Sequence, residues 1–136
     1  MRPTSAFALL AAAFAFSTTP LHAADAPKPL DAMVESAMKG YNDGDSKVFF
    51  ADYAKLLSAV AVPATFDMLY KNAAMKEFGK FVSKKLVAGQ SVVEGDTPLL
   101  VYEAKFEKNP KVKLAVNFMK EEGKPKVVQI TIEKFQ

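Results

Sequence analysis

Beyond Ala23 the chain contains no histidine, cysteine, arginine or tryptophan. Its single histidine is His22 and its single arginine is Arg2. These absences exclude imidazole general bases, thiolate nucleophiles, bidentate arginine clamps and metal sites built from His or Cys in this part of the chain. Disulfide staples are excluded too, so stability must come from burial of apolar surface. We therefore expect a non-catalytic protein with no metal and no cofactor.

The first 23 residues have the three parts of a secretory signal peptide. Arg2 supplies the positive start, Phe7 to Phe16 form an apolar run, and Ala23 is a small residue at the expected cleavage point. The run is about half the length that a membrane-spanning helix requires, which disfavours a retained anchor. We expect cleavage near Ala23, a periplasmic or secreted location and no stable membrane anchor afterwards.

The rest of the chain divides into a short tether and one domain. Residues 24–29 include two prolines and are expected to be a flexible tether, and residues 30–136 have the size of a single domain. The 18 basic residues include Arg2, so 17 lysines stand against 15 acidic residues, scattered along the sequence. No basic stripe is present, which argues against nucleic acid as a partner.

Apolar residues recur at steps of three and four through the first half of the domain, which predicts three helices. The first helix should run from Leu30 to Tyr41 and stop at Gly44. Asp45 or Ser46 should cap the second. The stripe expected for the second helix is Phe49, Tyr53, Leu56, Leu57 and Val60. The third should span about Ala64 to Phe78, with Phe66, Leu69, Tyr70 and Ala73 facing inward.

From Lys80 the period changes to two, which predicts strands. Gly89 is expected to bend the first strand, and short turns should join four strands into an antiparallel meander. The inward residues should be Tyr102, Ala104, Phe106, Leu114, Val116, Phe118, Val128 and Ile130. The predicted fold is α+β: three N-terminal helices on a curved four-stranded antiparallel sheet.

One local motif adds a resemblance. Met38 to Asp45 (MKGYNDGD), followed by Phe49, Phe50, Asp52 and Tyr53, resembles the start of the nuclear transport factor two-like superfamily, also called cystatin-like. The resemblance implies a cone-shaped domain whose sheet and helices enclose a pocket. Some members are isomerases or dehydratases with an Asp or His base, and many others bind ligands or pair through the sheet. No carboxylate occurs among the inward strand residues, which favours a binding role.

The expected ligand is a small apolar or amphipathic molecule, or a segment of a protein partner. The pocket residues predicted for it are aromatic: Phe49, Tyr53, Phe66, Tyr70, Tyr102, Phe106 and Phe118. Met68 and Met75 lie off the inner stripe and could border a pocket or an interface. A calcium loop starting at Asp43 is disfavoured, because the places that need Gly and Glu hold Val48 and Ala54.

Two alternatives remain open at this stage. In the first, the domain's own side chains fill the cone, and the protein acts through its outer sheet face. Val101, Ala115 and Met119 would then form a homodimer contact. In the second, the protein is an isomerase-like or dehydratase-like enzyme that uses a buried aspartate, Asp52 or Asp67, and a tyrosine.

Overall fold

A computed structural model describes residues 26–135 of the chain. The predicted signal peptide and its cleavage point lie outside the described residues. No helix in this part of the chain is long and apolar enough to cross a membrane.

The described residues form an α+β domain with a four-stranded antiparallel sheet, as the sequence predicts. Helices α1 (Lys28–Asp43) and α2 (Ser46–Phe49) are followed by a 3₁₀ turn, Lys55–Leu57. Helix α3 consists of three consecutive pieces: Pro63–Phe66, Asp67–Ala74 and Met75–Phe78. The strands are β1 (Phe81–Leu86), β2 (Leu99–Phe106), β3 (Asn109–Glu121) and β4 (Lys124–Lys134), in the spatial order β1-β2-β3-β4. Gly89 does not bend the first strand as expected: β1 ends at Leu86, and Gly89 lies in a 3₁₀ turn, Ala88–Gln90, between β1 and β2.

Helix α1 has the inner face that the sequence predicts. Its buried residues are Leu30, Val34, Ala37, Met38, Gly40 and Tyr41. The helix ends at Gly44, whose φ of 69° is left-handed and favours glycine. It begins at Lys28, with Pro29 in its first turn, so the last two residues of the stretch expected to be a tether belong to the helix.

The prediction of a second helix extending to Val60 is wrong. The Asp45 carboxylate caps α2 by accepting from the Val48 N–H at 3.2 Å, but the helix ends at Phe49. The chain then turns and pairs with the outer edge of β4. The Ala54 N–H donates to the Val127 carbonyl at 2.9 Å, and the Val127 N–H donates to the Asp52 carbonyl at 2.8 Å. These bonds replace helical ones because they satisfy an otherwise open sheet edge.

Helix α3 spans nearly the predicted residues, but its inner face differs. Its middle piece is π-helical, with hydrogen bonds spanning five residues. Each turn is therefore wider, and the buried residues recur every four positions, at Phe66, Tyr70, Ala74 and Phe78. Leu69 and Ala73, which were expected inside, are exposed.

The inward residues predicted for the sheet are buried, with one exception. A β-bulge between Asn117 and Phe118 pairs Asn117 with Gln129 and Phe118 with Val127, which leaves Val128 as the extra residue. Val127 is consequently buried and Val128 is half-exposed, so the inward position predicted for Val128 is wrong. The other seven predicted inward residues are buried.

Candidate functional site

Six of the seven predicted pocket residues belong to the packed core, and four of these are phenylalanines. Phe49, Phe66, Phe106 and Phe118 are each 1% exposed. The Phe49 ring lies 4.4 Å from the Tyr70 ring and 5.2 Å from the Phe66 ring, measured between centroids. These phenylalanine rings fill the space where an enclosed ligand was expected, so they offer almost no surface to one.

Tyr53, which is half-buried, and Tyr70, which is 6% exposed, also line an apolar groove of about 330 Å³ on the surface. One wall is α3, another is the segment from Phe50 to Val60, and the third is β4. We call this feature the α3 groove. Its lining residues are Phe50, Tyr53, Val60, Thr65, Met68, Leu69, Tyr70, Val128 and Gln129.

Three apolar side chains of the α3 groove are open to solvent. Val60 is 51% exposed, Met68 is 64% exposed and Leu69 is 48% exposed. Val60 and Leu69 are exposed because the local structure departs from a regular α-helix: α2 ends early, and the π-helical piece rotates α3. Met68 lies off the inner stripe of a regular helix as well. The sequence assigns Met68 and Met75 to a border and assigns Val60 and Leu69 to the inner stripes. Met68 lines the groove, whereas Met75 packs against the core.

The hydroxyls of Tyr53 and Tyr70 lie beside Ile130 on the outer edge of β4. The Tyr70 hydroxyl donates to the Ile130 carbonyl at 2.6 Å. Burial raises the pKa of both phenols, and the Tyr70 hydroxyl further raises the pKa of Tyr53. Both phenols are therefore neutral at pH 7.

The Glu121 carboxylate binds the segment from Phe50 to Val60, which forms one wall of the α3 groove. The side chain of Glu121, at the end of β3, accepts from the Lys55 N–H at 2.9 Å and the Leu56 N–H at 3.3 Å. These two N–H groups belong to the first residues of the 3₁₀ turn, and neither has a backbone acceptor within the turn. The Glu121 bonds and the pairing of Ala54 with Val127 therefore hold the start of the 3₁₀ turn against the sheet.

Tyr102, the seventh predicted residue, lies in a different place. Its hydroxyl donates to Asp31 Oδ1 at 2.8 Å, beside a cavity of about 520 Å³. Lys84 Nζ lies 3.1 Å from the same oxygen and is also paired with Glu35. The Lys84 side chain is only 9% exposed. Burial raises the pKa of Tyr102, and the Asp31 bond adds to that increase.

The Lys84 cluster (Asp31, Glu35, Lys84 and Tyr102) joins α1 to β1 and β2. Its lysine and its phenol are already engaged by carboxylates of the same chain, which is the pattern of a structural link between elements. The aspartates considered for an enzyme are elsewhere: Asp67 is exposed on α3, and Asp52 is partly exposed.

The expected dimer residues on the outer sheet face are largely covered within the single chain. Val101 is 3% exposed and Ala115 is 8% exposed, while Met119 is half-buried. Val101 and Ala115 therefore present little side-chain surface to a second copy.

The chain matches no protein-family model and no curated protein. Among solved structures, a protein of Bdellovibrio bacteriovorus, Bd1075, is similar to 80% of this chain at 13% identity, with a TM-score of 0.47. The matched region spans 40% of the length of Bd1075. A likeness this distant transfers neither activity nor partner to the present chain.

Proposed function

We propose that this protein is a non-catalytic binding domain that takes a small apolar or amphipathic molecule in the α3 groove. The proposed site differs from the enclosed pocket expected from the sequence, because the phenylalanine rings already occupy that interior. On the basis of the leader, we further propose that the domain works in the periplasm or outside the cell. On the basis of the MKGYNDGD motif, we propose that it is a distant, cone-shaped member of the nuclear transport factor two-like superfamily.

The observation that carries the proposal is the concave surface with exposed apolar side chains. Isolated exposed apolar residues are ordinary, but here Val60, Met68 and Leu69 converge on one groove. The volume of about 330 Å³ lies at the small end of the range of roughly 300–1,000 Å³ for small-molecule sites. A ligand there would remove apolar surface from water, which is favourable.

Composition supports binding over catalysis. The residues after Ala23 include no imidazole and no thiol. The carboxylates of the Lys84 cluster are already paired with a lysine of the same chain.

A fluorescence titration with N-phenyl-1-naphthylamine, a neutral apolar dye, tests the proposal. We expect saturable binding to the wild-type protein and a loss of about tenfold in affinity for Val60→Lys, because the ammonium would enter the apolar groove. The matched control is Val82→Lys on β1, since Val82 is 53% exposed against 51% for Val60. Val82→Lys should bind within about twofold of wild type.

Two outcomes would overturn the proposal. One is a dye signal that does not saturate. The other is an equal loss of affinity in Val60→Lys and Val82→Lys, which would locate the dye elsewhere. Circular dichroism of both variants establishes that each is folded before the comparison is made.

A further inference from the structure

We infer that the ligand of the α3 groove is uncharged: a hydrocarbon body with a neutral hydrogen-bonding group, as in a fatty alcohol. This inference rests on the proposed function and specifies the class of molecule. It is carried by the chemistry of the groove lining.

None of the nine residues that line the α3 groove carries a charge, although 24% of the residues in the chain are charged. Two other cavities of the domain show the contrast. The cavity of about 290 Å³ along α1 includes Glu35, Lys39 and Asp43, and the cavity of about 520 Å³ includes Asp31 and two neighbouring lysines of β1. A carboxylate or an ammonium ligand would find a counter-ion in either of those cavities but not among the lining residues of the α3 groove.

The tyrosines do not supply a charge either. Tyr70 uses its proton on the Ile130 carbonyl, and both Tyr53 and Tyr70 are neutral phenols. An ionised group that left water for this lining would lose hydration without an opposite charge in return, which is costly.

Two lining side chains can serve a neutral polar group. Thr65 is half-buried, Gln129 is exposed, and each offers both a donor and an acceptor. A hydroxyl or an amide could be bound by either side chain, while Val60, Met68 and Leu69 contact the hydrocarbon.

Displacement of N-phenyl-1-naphthylamine by three ten-carbon molecules tests the inference: 1-decanol, decanoate and decylammonium at pH 7. Each affinity is divided by the octanol–water partition coefficient of that molecule, so that intrinsic hydrophobicity cancels. We expect neither ion to bind better than its partition predicts. Thr65→Lys should raise the ratio of decanoate to decanol affinity about tenfold, because it supplies the missing counter-ion.

Val92→Lys is the control, because Val92 is 55% exposed and lines neither the α3 groove nor the two cavities named above. It should leave that ratio unchanged. The inference is wrong if either ion binds wild type about tenfold better than its partition predicts, since that result requires a counter-ion in the site. In that case the α3 groove is still a binding site, as proposed, but its ligand is charged. If none of the three molecules displaces the dye and the dye itself does not saturate, the proposed function fails as well.

Discussion

Gly40 illustrates how closely two helices approach at a single residue. A Cβ atom at this position would lie 2.4 Å from the Phe49 nitrogen and 2.8 Å from the Phe49 Cα. Both atoms belong to the backbone of α2, so neither can rotate away. We expect Gly40→Ala to lower the free energy of unfolding by about 1–3 kcal/mol or more, measured by urea denaturation, because α1 and α2 must separate.

Gly89 provides the matched control for Gly40. A Cβ atom at Gly89 would meet no atom within 4 Å, and its φ is not left-handed. Gly89→Ala should therefore stay within about 0.5 kcal/mol of wild type. Equal effects of the two substitutions would contradict the close contact between α1 and α2.

At the level of elements, the π-helical piece of α3 decides which of two adjacent alanines faces the core. Ala74 is 6% exposed, whereas Ala73 is exposed. We expect Ala74→Gln to cost about 1–3 kcal/mol of unfolding free energy through overpacking, and Ala73→Gln to stay within about 0.5 kcal/mol. Urea denaturation of the pair measures the difference. A larger cost at Ala73 would mean that α3 has the regular α-helical face.

The same elements show what the sequence can and cannot predict. The face of α1, its stop at Gly44 and the antiparallel strand order follow from local periodicity and short turns, and all three are confirmed. The π-helical widening of α3 and the bulge at Val128 each shift a face by one residue. Neither has a local signal in the sequence, because each is stabilised by contacts with distant parts of the chain.

The α3 groove was only partly predictable for that reason. Tyr53 and Tyr70 were identified as aromatic residues on apolar faces, and Met68 as a border residue, from their own positions in the pattern. Val60 and Leu69 were assigned to the core because a regular helix would have buried them. The early end of α2 depends on pairing with Val127, more than 70 positions away, which no local pattern of residues 45–60 reveals.

Across the whole molecule, tyrosine hydroxyls connect segments that are far apart in the sequence. Tyr41 donates to the Gly79 carbonyl at 2.7 Å, Tyr70 to the Ile130 carbonyl at 2.6 Å and Tyr102 to Asp31 at 2.8 Å. Together these bonds join α1 to the end of α3, α3 to β4, and β2 to α1. When one of these phenols ionises, its hydrogen bond loses the donated proton, and a negative charge is left in a buried site.

This arrangement predicts that the fold is lost in alkaline solution as the tyrosines ionise. Burial is the largest cause that raises the pKa of each of the four tyrosines above the usual value of about 10. The folded chain therefore retains protons that the unfolded chain releases. Their contribution to the free energy of unfolding is fully present below about pH 10 and declines as the pH rises above it.

Absorbance of tyrosinate, followed together with far-ultraviolet circular dichroism, measures this effect without interference from tryptophan, which the chain lacks. In guanidinium chloride the four phenols should titrate near pH 10. Under native conditions tyrosinate should appear at higher pH and only as the dichroism signal is lost, because each phenol must leave its buried partner before it ionises. Titration near pH 10 with an unchanged dichroism signal would show that water reaches the hydroxyls in the folded protein, and that the three bonds do not hold the segments together.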